Sequence, residues 1–205
     1  MARKPSPNPP GRPKAFSEPE ALDAAMGVFA AKGFEATSLS DLERATRINR
    51  VSLYASFGNK EAVFVKALAR YTKAGSLRFL HHLALPSARA GVEALLRESV
   101  ELFSDPHGHG VCFVTQAPLS GKDASTETRH FLAEQRAGIE RMLADRLLQA
   151  VDDGELGLGT AFVNMARFFA TTIVGMALQA QHGATRSDLM RVVDVAMTVW
   201  PDRQR

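Results

Sequence analysis

The chain has 205 residues, of which 45% are hydrophobic, and a formal net charge of +3, so it can bury a sizeable core in one or two domains. Its single cysteine, Cys112, excludes an intrachain disulfide. No charge-free apolar run reaches the roughly 18 residues that suggest a transmembrane helix, and we expect a cytoplasmic protein with no membrane partner.

The charge is unevenly placed. Residues 1–60 hold nine Lys/Arg against six Asp/Glu, whereas 61–205 hold sixteen of each, so the cationic excess lies in the first third. Residues 1–16 read as a basic arm, disordered when free and unlike a signal peptide because Pro and Gly replace an apolar run. Within it, Gly11-Arg12-Pro13-Lys14 resembles the core of an AT-hook. Arg12 and Lys14 either enter a narrow minor groove or belong to a plain flexible tail.

Residues 17–60 read as three short helices. Ser17-Glu18-Pro19-Glu20 is a capping box with proline in the first turn. Leu22, Ala25, Met26 and Phe29 form one apolar stripe, which Gly33 ends. Ser38 can cap a second helix, with Asp41 in its first turn, and Asn49 can cap a third. On that third helix Leu53 and Phe57 share a buried face, joined by Ile48 from the turn. The opposite face carries Val51, Ser52 and Ala55, flanked by Arg50 and Tyr54, and no acid occurs between Arg44 and Lys60. A cationic helix with small outward residues suits the major groove, which is the layout of a helix-turn-helix.

Residues 61–205 read as an all-α body. A long helix from 60 to about 83 leads into it. Helices are expected after Pro86-Ser87, over 111–119, from 125 to 150, from 160 to 182, and after Thr185. The last two are apolar on most sides. Either they complete an internal core or they make a homodimer, and the two-fold binding mode of a helix-turn-helix favours the dimer.

The segment Ala25-Met26-x-x-Phe29-x-x-Lys32-Gly33-Phe34-Glu35-Ala36-Thr37-Ser38, followed by Asp41-Leu42, Ala45 and Ser52-Leu53-Tyr54-x-x-Phe57-Gly58-Asn59-Lys60-Glu61-Ala62, resembles the tetracycline-repressor (TetR) family of bacterial regulators. The Gly-Arg-Pro segment before the first helix, Ile-Asn-Arg-x-Ser-Leu-Tyr, and a Gly-x-Cys segment look like its ComR-like branch. The resemblance spans roughly residues 12–71. It implies an all-α repressor with a helix-turn-helix head and a helical effector-binding and dimerisation domain, released from a palindromic double-stranded operator by a small molecule.

By position, the resemblance places Thr37 and Ser38 as phosphate donors, Asn49, Arg50, Val51 and Ser52 facing the groove, and Tyr54 and Lys60 on phosphates. Arg50 is the best candidate to contact a guanine edge, with a phosphate contact as its alternative. One departure stands out. Arg47 occupies the turn position where the family often has glycine, so either it adopts a left-handed conformation or the turn differs. It also adds a cation beside the DNA backbone.

The effector is read less sharply. Phe103, Cys112, Phe113, Gln116, Phe168 and Thr172 are candidate pocket residues, chosen because such pockets combine apolar walls with few polar handles. His107, His109 and Cys112 have metal-ligand chemistry, and His81 or His82 could approach them. No fourth ligand is in place, however, and an organic effector without a metal or cofactor is the expected reading. No nucleophile elbow, phosphate loop or HExxH motif argues for an enzyme.

Overall fold

The computed structural model describes residues 16–105 and 125–201, and all the regular structure among them is helical. The helices are α1 (Glu18–Ala36), α2 (Leu39–Thr46), α3 (Arg50–Phe57), α4 (Lys60–Leu83), α5 (Ala88–Ser104), α6 (Thr126–Asp152), α7 (Phe162–Gln181) and α8 (Arg186–Ala196), followed by a short 3-10 turn, Met197–Val199. The helix expected over 111–119 lies outside the described residues.

Local chemistry starts and stops the first three helices. Ser17 accepts from the Glu20 N–H at 3.4 Å, with Pro19 in the first turn of α1. Gly33 breaks that helix at φ 79°, and one turn, Phe34 to Ala36, follows it. Ser38 and Asp41 form a reciprocal capping box at α2. Asn49 accepts from the Ser52 N–H at 2.9 Å to begin α3.

The head is closed by Ala25, Met26 and Phe29 of α1, Leu42 of α2, Ile48, and Leu53 and Phe57 of α3, all buried. Helix α4 completes this core with Val63, Phe64, Ala67 and Leu68. The Phe29 and Phe64 rings meet edge to face at 5.1 Å, and Phe34 lies 5.1 Å from Phe64. Asp23 of α1 receives both arms of Arg70 of α4, at 2.6 and 2.9 Å. Helix α4 runs 24 residues, about 36 Å at 1.5 Å per residue, so its far half belongs to the body.

In the body, Val92, Leu95, Leu96, Val100 and Phe103 of α5 turn inward as their spacing predicts. They pack against α4, α7 and α8. Arg146 of α6 is buried and fastens the α4–α5 corner. Its Nε donates to the Leu83 carbonyl at 2.8 Å, and its Nη2 to the carbonyls of Leu85 and Pro86 at 3.2 Å each. Glu155 caps α5 from outside, accepting from Ser87 Oγ and from the Ala88 and Arg89 N–H groups at 2.7 to 3.1 Å. Burial alone would raise the Glu155 carboxyl. The Ala88 and Arg89 N–H groups, the Ser87 hydroxyl and the Arg146 charge outweigh it and hold its pKa below the ordinary value. A second capping box, Thr185 with Asp188, begins α8, and Arg97 of α5 bridges to Asp194 of α8 at 2.9 Å.

The turn between α2 and α3 resolves the question raised by Arg47. Its backbone sits at φ 57°, ψ 26°, the left-handed region, where it is the sole non-glycine among the described residues. Such a conformation costs an L-residue about 1–2 kcal/mol, whereas a glycine costs roughly 0.5–1 kcal/mol in chain entropy. Arg47→Gly should therefore raise unfolding stability by up to about 1 kcal/mol in urea titrations, while lowering duplex affinity through the lost cation.

The Asp41 carboxyl is held well below the usual carboxylate range, first by the Lys32 ammonium at 2.7 Å, then by the Ser38 hydroxyl and the Ser38 N–H. A pKa depressed by folding stabilises above the unfolded value, about 3.9, and that contribution disappears as pH falls below it. Asp41→Asn should lower Tm at pH 7, and the gap to wild type should shrink progressively below about pH 4.

Candidate nucleic-acid interface

The second and third helices present one continuous polar and cationic surface. Arg44, Arg47, Asn49, Arg50, Val51 and Ala55 are exposed, and Ser52 and Tyr54 are half-buried. The buried side of α3, Leu53 and Phe57, fixes its rotation, so residues 51 and 55 sit on the outermost line. Val51 is 81% exposed.

Three contacts orient this surface. The Glu43 carboxylate accepts the Arg50 N–H, a bond from α2 to the first turn of α3. Lys66 of α4 donates to the Phe57 carbonyl at 3.2 Å and lies 5.7 Å from the Phe57 ring, which steadies the other end of α3. The Arg50 guanidinium lies 5.7 Å from the centre of the Tyr54 ring, within cation–π range. It therefore leans along the flank of α3 where Tyr54 stands, not out from the central line. Glu43 and Lys66 were missed from sequence because each bonds to a backbone group on the neighbouring helix, a contact that periodicity along one helix does not signal.

Two expected phosphate donors are already occupied. Thr37 is buried, and its hydroxyl donates to the Gly33 carbonyl at 2.6 Å. The Ser38 hydroxyl donates to Asp41 at 2.7 Å and accepts the Asp41 N–H. Thr37 is also the C-cap of α1, and its hydroxyl satisfies a carbonyl that the glycine break leaves. Lys60 lies 4.6 Å over the Phe34 ring and donates to the Glu35 carbonyl at 3.2 Å. An ammonium has three donors, so this position is held without exhausting the group. Arg12 and Lys14 lie outside the described residues; Phe16, the first described residue, packs 6.0 Å from Phe57.

A small cleft opens in the body between α4, α5, α6 and α7, with a volume of about 90 Å³. Its walls include Tyr71, Thr72 and Phe79 of α4, Leu102 and Phe103 of α5, Gln135, Ile139 and Met142 of α6, and Ile173 of α7. Glycines 75 and 138 face it from α4 and α6, and a Cβ on either would meet nothing within 4 Å among the described residues. A mid-helix glycine costs about 1 kcal/mol relative to alanine, so this space is kept at a cost in helix stability.

Of the expected pocket residues, Phe103 lines this cleft. Cys112, Phe113 and Gln116 lie outside the described residues, as do His107 and His109. Phe168 and Thr172 do not line this cleft: they share the outer face of α7, four residues apart, and Thr172 donates to the Phe168 carbonyl. Their neighbours Phe169 and Ile173 take the inner face. The near-uniform apolar composition of α7 concealed that phase. Among the described residues no group of three His, Cys, Asp or Glu could hold a metal ion, and His82 instead meets Glu98 at 2.6 Å.

The outer faces of α7 and α8 expose Val163, Phe168, Val174 and Leu178, then Val192 and Val195, with Val199 just beyond, each 39% to 69% accessible. No helix among the described residues is long and apolar enough to cross a membrane.

A family model described as bacterial regulatory proteins of the tetR family matches residues 21–67. The HTH-type transcriptional repressor ComR of Escherichia coli (strain K12) is 34% identical over 202 residues, covering 94% of this chain and 92% of that protein. The uncharacterized HTH-type transcriptional regulator YezE of Bacillus subtilis (strain 168) is 28% identical over 191 residues, covering 92% of this chain and 98% of that one. Among solved structures, a cysteine mutant of the TetR family transcriptional regulator CifR, complexed with 26 bp double-strand operator DNA, matches with a TM-score of 0.87 at 38% identity, covering 93% of this chain and 100% of that chain. Head, long fourth helix and helical body thus coincide along nearly the whole sequence, and the chain belongs to the TetR family of bacterial regulatory proteins, with a ComR-like sequence.

Proposed function

We propose that this protein is a cytoplasmic, homodimeric transcriptional repressor that releases a palindromic operator when a small organic molecule enters the cleft of the body. It is a regulator and not an enzyme. The observation that carries the reading is α3 itself, an exposed helix with a small-residue outer line, cations on its flanks and no acid from Arg44 to Lys60. Residues 17–60 read the DNA and 61–205 sense and dimerise. Asn49, Arg50, Val51 and Ser52 face the groove. Arg47, Tyr54 and Lys60 hold phosphates, and Ser38 contributes its place at the start of α2. Arg12 and Lys14 extend the contact beyond α3.

Two heads are needed to read a palindrome, and the exposed apolar line on α7 and α8 supports a two-fold contact there. Four helices meeting in this way would bury Phe168, Leu178 and Val195, which the single chain leaves to solvent. Release requires that the effector bind the non-reading arrangement more tightly than the reading one. The cleft is built for that coupling, because one of its walls is α4, whose other end is the floor of the head.

Binding to duplexes selected from a random-sequence pool, followed by fluorescence anisotropy and by mass, tests the reading. The selected site should be palindromic and hold two chains, and Arg50→Ala should weaken it by about 1–3 kcal/mol and relax its sequence preference. No selected duplex, or one chain per duplex with Arg50→Ala unchanged, would contradict it.

A further inference from the structure

We infer that Val51 is a thymine sensor: its two methyl groups read the C5 methyl of one thymine in each operator half-site. The inference rests on the DNA-reading function proposed above and assigns a base and an atom to one residue of it. Val51 stands at the second position of α3, on the line opposite Leu53 and Phe57, and is 81% exposed. A recognition helix meets base edges with its N-terminal residues. Beside Val51, the cations Arg47 and Arg50 and the exposed Ala55 one turn later allow the backbone to come close.

Valine is an odd choice for such a position on folding grounds. It is β-branched, which lowers helix propensity, and among the described residues it stays 81% exposed. Its χ1 is nearly fixed in a helix, so its methyl groups are already placed and lose little freedom on contact. In the major groove the one apolar group is the thymine methyl. The hydrogen-bonding side chains that face the groove stand to either side of that central line. Arg50 leans over the Tyr54 ring at 5.7 Å, and Asn49 is engaged in capping α3. The central line of the helix is left to Val51 and Ala55, which can distinguish bases only by shape and methyl contact.

The test uses the full chain and the palindromic duplex it selects from a random-sequence pool. Each thymine is replaced in turn by deoxyuridine, which removes the methyl and keeps every hydrogen-bonding group. In wild type, one symmetry-related pair of thymines should show a loss of about 4-fold per half-site, the worth of one buried methyl. In Val51→Ala, thymine and uracil at that pair should bind within about 1.5-fold of each other, while any other uracil effect stays as in wild type. Val51 is exposed, so the variant should fold with an unchanged or raised Tm, which circular dichroism checks. Absence of any uracil-sensitive position overturns the inference, as does a uracil penalty that persists at full size in Val51→Ala. If no duplex is selected at all, the DNA-reading function itself is wrong and the inference falls with it, a result distinct from the first two.

Discussion

Helix α4 belongs to two cores at once, and the rest of the molecule is arranged by that fact. Its first half supplies Val63, Phe64, Ala67 and Leu68 to the head, where the Asp23–Arg70 pair and the phenylalanine cluster fix it against α1. Its second half supplies Tyr71, Gly75 and Phe79 to the wall of the cleft. A helix of about 36 Å with unbroken hydrogen bonding transmits displacement instead of absorbing it. On the function proposed above, a body that alters the packing of Tyr71 or Phe79 alters the placement of α1 to α3. The start of α6 adds a second hold, since the Ser125 N–H donates to Glu61 at 2.8 Å in the first turn of α4. Hydrogen bonds from Thr128 and Ser125 keep the Glu61 carboxyl below its ordinary pKa.

The reading surface is built from satisfied local groups. Local groups hold each end of the short helices α2 and α3: the Ser38 and Asp41 side chains and the left-handed Arg47 backbone for α2, Asn49 with Glu43 and then Lys66 for α3. Helices of eight residues are too short to persist on their own, so these caps and the buried Leu42, Leu53 and Phe57 set their orientation. What remains outward is Val51, Ala55 and the cations. Rigidity behind the surface and small groups upon it are both required if base edges are to be read at contact distance.

The head was legible in the sequence because its signals are local. Ser38 with Asp41, Asn49 as the cap of α3 and the glycine at position 33 are all decided within four residues, and the structure has each where its spacing places it, whereas the left-handed conformation of Arg47 was one of two alternatives that the sequence left open. The body was legible in its elements but not in its faces. Helix α7 is apolar nearly all round, so Phe168 could not be told from Phe169 until α5, α6 and α8 showed which side is covered. Thr37 shows a different limit. A threonine at a helix start reads as an available donor, and only the carbonyl freed by the Gly33 break, four residues earlier, claims its hydroxyl. Glu43, Lys66 and Arg146 act on partners that the chain brings near only after folding.

The central claim, that the cleft and the reading head are two ends of one helix, is tested most directly by filling the cleft without any ligand. Gly138 faces the cleft from α6 with open space beside it, and leucine there improves helix propensity while placing a side chain against α4. The measurement is operator affinity of Gly138→Leu alongside its oligomeric state. The account predicts a folded dimer whose affinity for the selected duplex falls tenfold or more, on the order of 1.4 kcal/mol. A folded dimer that binds the duplex as tightly as wild type would contradict it.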